Sequence, residues 1–223
     1  MPTKRLLDLF CGAGGAAMGY YQAGFNEIVG VDTKPMPRYP FIFVQADALE
    51  YVAAPGQEFD VIHASPPCQA YTKAGAAWRK RLGKIESERH PALIEPLRLL
   101  LVAYPVWVIE NTPGAPLLNP IVLCGLSFGL NVKRHRLFES SVTLISRPCG
   151  DHSKQFVLVY GGGIRGRTHQ IGRTGNGPIL RRPTLSLKIG QDAMGIGWMN
   201  RKELSEAIPP AYTEWIGRQL LAR

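Results

Sequence analysis

The sequence predicts an α/β fold, a mostly parallel sheet with helices on both faces, and three observations predict it. Short apolar runs alternate with helical or loop stretches through the first half of the chain. Strands separated by helices imply right-handed crossovers and hence parallel neighbours. The runs also end, one after another, in glycine or polar residues, where an open parallel sheet carries its ligand sites. A chain of 223 residues, 45% hydrophobic and 19% charged, has room for one substantial core and a small appendage.

Taken in order, "RLLDLF" (5–10) is a first strand that runs into the glycine turn "CGAGG". "AAMGYYQAG" follows as a short helix stopped by Gly24. "EIVGVD" (27–32), "FIFVQAD" (41–47) and "FDVIHAS" (59–65) are further strands, "ALIEPLRLLLVAY" (92–104) a helix despite Pro96, and "VWVIENT" (106–112) a fifth strand. "RLFESSVTLI" (136–145) and "FVLVYG" (156–161) continue the β pattern, whereas "GGGIRGRTHQIGRTGNG" reads as a loop or small irregular module. "DAMGIGWMNRKELSEA" and "PPAYTEWIGRQLLA" close the chain with helical patterning, and Tyr212, Ile216, Gln219 and Leu220 share one face of the second. This divides the chain into a catalytic unit at 1–146, a short basic segment at 147–185, and C-terminal helices at 186–223 that return to the first unit.

Charge and cysteine usage narrow the function class. The net charge is +9, and residues 146–190 carry eight Lys/Arg against one acid, Asp151. That concentration favours a polyanion such as nucleic acid, the alternative being a solvated basic surface. No apolar run is long enough to span a bilayer and the N-terminus does not read as a signal peptide, so a cytoplasmic protein is expected. Cys11, Cys68, Cys124 and Cys149 are widely spaced, as for reduced thiols rather than a disulfide framework.

The strand ends carry the chemistry. In "DLFCGAGG", Gly12 and Gly14 permit close approach of a ligand to the backbone, or simply a tight turn. Asp32, about twenty residues on, is placed for ribose hydroxyls, and together they suggest an adenosine-containing cofactor. No Walker lysine is present, which argues against an NTPase. Asp47 is placed to accept from an exocyclic amine or to cap the next helix. In "SPPCQAY", Pro66 and Pro67 stiffen the loop before Cys68, and Lys73, Arg79, Lys80, Arg81, Lys84 and Arg89 follow. A thiol held there beside cations suits a nucleophile. Cys11 and Cys124 read instead as buried and inert. Glu110 and Asn111 follow four apolar residues, an expensive place for a carboxylate unless it is paired or functional. Arg134 and Arg136 alternate and so share a strand face, fitting either a structural pair with Glu110 or a site. Cys149 and His152 have half of a zinc site's spacing, and a closed site would need two more ligands such as Cys124 and His135. A plain turn is the preferred reading there, and no metal is assigned.

In this order, "DLFCGAGG", "GVD", "ADA", "SPPCQAYTKAG", "VIENTPG", "RHRLF" and "AIPPAYTEWIGRQLL" resemble the motifs of the cytosine-5 DNA methyltransferase family over about three-quarters of the chain, excluding roughly 147–185. The resemblance implies a Rossmann-like S-adenosylmethionine-dependent methyltransferase fold. Phe10, Gly12, Ala13, Gly14, Gly15, Asp32, Thr33, Asp47, Ala48, Pro67 and Ile208 would line the S-adenosylmethionine site. Phe10 would stack on the adenine, Asp32 hold the ribose and Asp47 the adenine amine. Cys68 would add to carbon 6 of a cytosine extruded from double-stranded DNA, and Glu110, with Asn111 beside it, would support the activated ring. Arg134 and Arg136 would contact the ring oxygen and orient Glu110. Gln69, Arg79, Arg81 and Arg89 would meet the DNA near the flipped base, and Arg165, Arg167, Arg173, Arg181 and Arg182 from the basic segment.

Departures from the family pattern qualify this expectation. Val132 replaces a usual glutamine, Ser205-Glu206 replaces a Gly-Asn pair, Thr112 replaces a valine, and only about forty residues remain for target recognition. A small orphan or phage-type member with a short or relaxed target, shielding DNA from restriction, is consistent with that economy. Two rivals are a transfer-RNA cytosine-5 methyltransferase, disfavoured by Gln69-Ala70, and a DNA-binding module with a decayed active site.

Overall fold

The computed structural model describes residues 4–56, 58–72, 91–153, 156–160, 163–166 and 185–223. Five parallel strands form the bulk of a seven-stranded sheet: β1 (Arg5–Leu9), β2 (Glu27–Asp32), β3 (Ile42–Gln45), β4 (Val61–Ala64) and β5 (Trp107–Asn111). β6 (Ile121–Leu123) and β7 (Arg136–Ser140) complete it in the order β3-β2-β1-β4-β5-β7-β6, with β7 antiparallel to both neighbours. Helices α1 (Gly15–Ala23), α2 (Ala48–Ala53) and α3 (Ile94–Leu101) belong to the crossovers. Pro96 sits in the first turn of α3, where its missing N–H removes no helical bond.

The predicted 136–145 strand stops at Ser140, because Ser140 and Ser141 turn their hydroxyls onto the Trp107 and Pro105 carbonyls. A hairpin of β8 (Val157–Tyr160) and β9 (Gly163–Gly166) follows, so part of the expected irregular module is regular. The first closing stretch is two helices, α4 (Leu187–Met194) and α5 (Arg201–Glu206), broken where Gly195 takes a left-handed φ of 68°. The last helix is α6 (Pro210–Leu221).

Continuous apolar sequence makes β1 and β4 fully buried strands: Leu6, Leu7, Leu9, Ile62 and Ala64 expose nothing. One face packs under α1 and α6 through Tyr20, Phe25, Tyr212 and Ile216. Those two helices touch closely, since a Cβ on Gly19 would lie 2.0 Å from the Pro210 carbonyl oxygen and one on Gly217 2.7 Å from Ala23 Cβ. The other face packs under α2 and α3 through Val52, Leu97 and Leu101. A third cluster joins the β8–β9 hairpin, α4 and α5 to Ala13 and Val132, so Val132 serves here as core and bridges to Val157. Among the described residues, no helix is long and apolar enough to cross a membrane.

Beneath the glycine turn lies a buried acid. Asp8 on β1 faces Gly30 on β2, whose missing side chain makes room for the Tyr39 ring. The Tyr39 hydroxyl donates to Asp8 Oδ2 at 3.3 Å, and Oδ1 is buried without a partner. Burial raises the Asp8 pKa to about 8, against the Tyr39 hydrogen bond. The folded protein therefore holds a proton that the unfolded chain releases above about pH 4, and stability attributable to this group falls as pH rises toward 8. Asp8→Asn should gain on the wild type progressively across that window in chemical-denaturation midpoints. A difference that stays constant with pH would contradict the assignment.

Candidate active site

The carboxyl ends of β1, β2, β4 and β5 gather the predicted residues on one edge of the sheet. β5 ends in Glu110 and Asn111, both buried. Asn111 Nδ2 donates to the Pro66 carbonyl at 2.8 Å, and its Oδ1 accepts from the Thr112 N–H at 2.9 Å. The structure thus gives Asn111 a positioning task in place of the catalytic one expected: it pins the Pro-Pro-Cys loop to the next strand.

Cys68 opens a short 3-10 turn, residues 68–70, immediately beyond the two prolines, and is partly buried. Burial pushes its thiol pKa up. Arg136 opposes that most strongly, Glu110 adds to it, and Arg134 also lowers it, so all three side chains act on the sulfur. Glu110 is likewise pushed up by burial, against Arg136, Arg134 and a hydrogen bond from Ser65. Arg136 Nε lies 2.9 Å from Glu110 Oε1. That is ion-pair distance without hydrogen-bond alignment, so Oε1 keeps an unfilled acceptor site in a buried setting.

The two arginines, paired in the sequence reading, divide the work. Arg136 faces Glu110 and also donates to the His135 carbonyl at 2.9 Å. Arg134 is a buried strut that donates to the carbonyls of Val159 on β8 and Ser205 on α5, the latter at 2.8 Å. Burial, and then Arg136, lower its pKa to about 9, and its Nε has no partner. Ser205, which departs from the family pattern, contributes only its main-chain oxygen to that bond. Tyr212 on α6 donates its hydroxyl to the Arg134 carbonyl, so the closing helix also holds this arginine in place.

Behind Glu110 runs a polar chain that sequence reasoning missed. Tyr20 OH lies 3.1 Å from His63 Nδ1, His63 Nε2 lies 2.9 Å from Ser65 Oγ, and Ser65 reaches Glu110. Burial lowers the His63 pKa to about 3, so the ring is neutral. The polarity that satisfies every bond has Tyr20 donating to Nδ1, Nε2–H to Ser65, and Ser65 to the carboxylate. The only signal in the sequence was a histidine inside an apolar strand.

On the neighbouring strand ends the glycine turn is strongly curved: Phe10, Gly12 and Gly14 all have positive φ, at 57°, 50° and 80°. A Cβ on Gly12 would meet nothing within 4 Å, so open space adjoins the backbone there. Gly14 and Gly15 are glycines for packing as well, since side chains would strike Pro40 at 2.6 Å and the Ile208 carbonyl at 2.4 Å. Asp32 shapes the turn by accepting from the Gly12 N–H at 3.1 Å and the Lys34 N–H at 3.0 Å. Asp47 Oδ1 caps α2 through the Leu49 and Glu50 N–H groups. Ala13 accepts from Trp198 Nε1, and Arg38 grips Glu203, so the C-terminal segment closes over this edge. Thr33 is exposed and accepts from Gln45 at its carbonyl, Ala48 is buried in α2, and Pro67 is partly buried.

Gln69 is exposed in the turn beside Cys68. Arg165 falls on β9 by its backbone, whereas Arg79, Arg81, Arg89, Arg167, Arg173, Arg181 and Arg182 lie outside the described residues.

Residues 4–115 match the family model for C-5 cytosine-specific DNA methylases. The chain belongs to that family. A Type II methyltransferase, M.AquIA of Picosynechococcus sp., is 33% identical over 169 residues, covering 69% of this chain and 60% of that protein. M.XorII of Xanthomonas oryzae pv. oryzae is 29% identical over 152 residues, covering 61% and 31%. The chain therefore matches less than two thirds of either relative's length. In fold it is similar to the Entamoeba histolytica methyltransferase EhMeth and the S. pombe Dnmt2 methyltransferase, each at a TM-score of 0.63. Identities are 10% and 11%, with 99–100% of this chain and 99% of each of those chains covered.

The polar chain behind Glu110 has a measurable consequence. Ser65→Ala removes a hydrogen bond that favours the carboxylate, so the Glu110 midpoint should move up, read by carboxyl carbon NMR on glutamate-labelled protein. An unchanged midpoint would show that Ser65 does not act on Glu110.

Proposed function

We propose that this chain transfers a methyl group from S-adenosylmethionine to carbon 5 of cytosine in double-stranded DNA. One observation carries the reading most of the weight: a buried, proton-retaining Glu110 with an open acceptor atom, paired to Arg136, acts on the same Cys68 that two prolines hold at a strand end. Family membership and relatives named as Type II methyltransferases support it.

The open space at Gly12 and the curved turn around it fit a ligand that presses on the backbone, and Phe10, Gly12, Asp32 and Asp47 would hold the cofactor's adenosine and amino-acid parts. When bound, S-adenosylmethionine supplies an electrophilic methyl group. Cys68, as thiolate, adds to carbon 6 of the cytosine. Glu110, kept protonated by burial, donates to the ring nitrogen and shares the exocyclic amine, which draws charge into the ring and leaves carbon 5 nucleophilic. Arg136 serves twice, opposing the rise in the thiol's pKa and holding Glu110 in position. Loss of the carbon-5 proton and expulsion of Cys68 restore the aromatic ring. Asn111 fixes the loop so that the sulfur stays within reach. A base inside a duplex cannot meet this buried set, so the target must leave the stack. The basic 146–190 segment supplies positive charge for the phosphates.

Oligonucleotide duplex carrying 5-fluorocytosine should form a denaturant-resistant adduct with the protein when S-adenosylmethionine is present, and Cys68→Ala should abolish it. Glu110→Gln should slow methylation of ordinary DNA by at least about 100-fold, the lower range for loss of a positioned acid. Trapping of transfer RNA in place of DNA would overturn the choice of polymer. Trapping of neither would overturn the enzyme reading and leave a binding module.

A further inference from the structure

The Cys149–His152 turn does not stand alone. Cys124, His135, Cys149 and His152 each present a donor atom, and all four donors lie within 4.8 Å of one another. Cys149 Sγ is 2.9 Å from His152 Nε2 and 3.3 Å from His135 Nε2, and Cys124 Sγ is 3.6 Å from His152 Nε2. Both imidazoles turn the same nitrogen inward, and the two rings meet edge-on with centroids 5.0 Å apart. A zinc ion with ordinary Zn–S and Zn–N bonds at tetrahedral angles keeps sulfur and nitrogen donors about 3.6 Å apart. The observed pairs fall at or slightly inside that spacing, so an ion would be received with a small outward relaxation.

We propose that these four residues form a structural zinc site. The donor set is two thiolates and two imidazoles, which selects zinc among common divalent ions and neutralises its charge. Four protein ligands leave no coordination position for water or substrate, so the ion's task is architectural. The protein builds the cluster from three separate segments. Cys124 stands between β6 and the 3-10 turn at Gly125–Phe128, His135 directly precedes β7, and Cys149 and His152 lie in the loop leading toward β8. Tight backbone packing brings them together: a Cβ on Gly150 would lie 2.7 Å from the Leu126 carbonyl oxygen, and one on Gly125 2.4 Å from that of Val132. Asp151 then orders the turn by accepting from the Ser153 N–H and hydroxyl, each at 2.8 Å.

The position gives the ion a consequence. His135 sits between Arg134 and Arg136, so fixing it fixes the start of the strand that delivers both arginines to Glu110. The same ion anchors the base of the loop that enters the basic 146–190 segment. A module too small for its own large core is held by a metal in its place.

Full-length protein, expressed with zinc chloride in the medium and purified under reducing conditions without chelator, should carry stoichiometric zinc by elemental mass spectrometry. Cys149→Ser and His152→Ala should each reduce it to background. Stripping the wild type with a chelator should lower its melting temperature by on the order of 10 °C. Should the variants fail to fold, wild-type protein refolded with cobalt chloride reads the same point. Tetrahedral thiolate coordination gives strong visible absorption, which added zinc should bleach. Folded wild type with no bound metal and no cobalt colour would overturn the proposal. So would a Cys124–Cys149 disulfide in protein kept under reducing conditions.

Discussion

Keeping one carboxyl group in a dry site at the end of β5 is the constraint around which this molecule is arranged. Burial alone penalises the charge of Glu110, and a lone buried carboxylate simply takes up a proton. The structure leaves it near that balance by setting a single arginine against it from the neighbouring strand. β7 runs antiparallel to β5 and places Phe138 opposite Glu110, so Arg136, two residues earlier on the same face, meets the carboxylate diagonally. Reversal of one strand in an otherwise parallel array thus has a chemical purpose. A parallel strand would need a long crossover and would present its other end to the site.

The thiol is governed by the same logic from the other side. β4 and β5 are neighbours, so the loops at their carboxyl ends are too, and the Asn111–Pro66 bond locks them together. Two prolines remove the loop's freedom, Asn111 sets its height, and Arg136 supplies the counter-charge. Arg134, although adjacent in sequence, spends two of its nitrogens on backbone oxygens of β8 and α5. It therefore joins the carboxylate–thiol pair to the C-terminal helices that cover the glycine turn. A residue read as a base contact is first a tie between the parts of the molecule that must close around one.

The parallel half was legible because its strands are uninterrupted apolar runs that end in residues with no structural reason to be polar. Glu110 after "VWVI" announced itself in that way, and so did the cysteine behind two prolines. What escaped has equally physical reasons. β6 is three residues long and β9 only four, too short for any periodicity to show. The closing helical stretch was overextended because nothing but the φ of Gly195 interrupts its pattern. Asn111 looked catalytic because its neighbour does; only the fold shows its amide turned toward a loop carbonyl. The Tyr20–His63–Ser65 chain runs between elements, and its members carry no spacing that links them. Half of the Cys–His cluster was visible as a local spacing, while Cys124 and His135 join it through tertiary packing alone.

Three groups therefore set one another's ionisation, and the account rests on that coupling. Its most direct measurement is the pH dependence of Cys68 alkylation by iodoacetamide, followed by peptide mass spectrometry so that the other three cysteines do not interfere. Loss of the opposing cation in Arg136→Ala should move the Cys68 midpoint up. Loss of the carboxylate in Glu110→Gln should move it down. Coincident midpoints in the wild type and both variants would contradict the account.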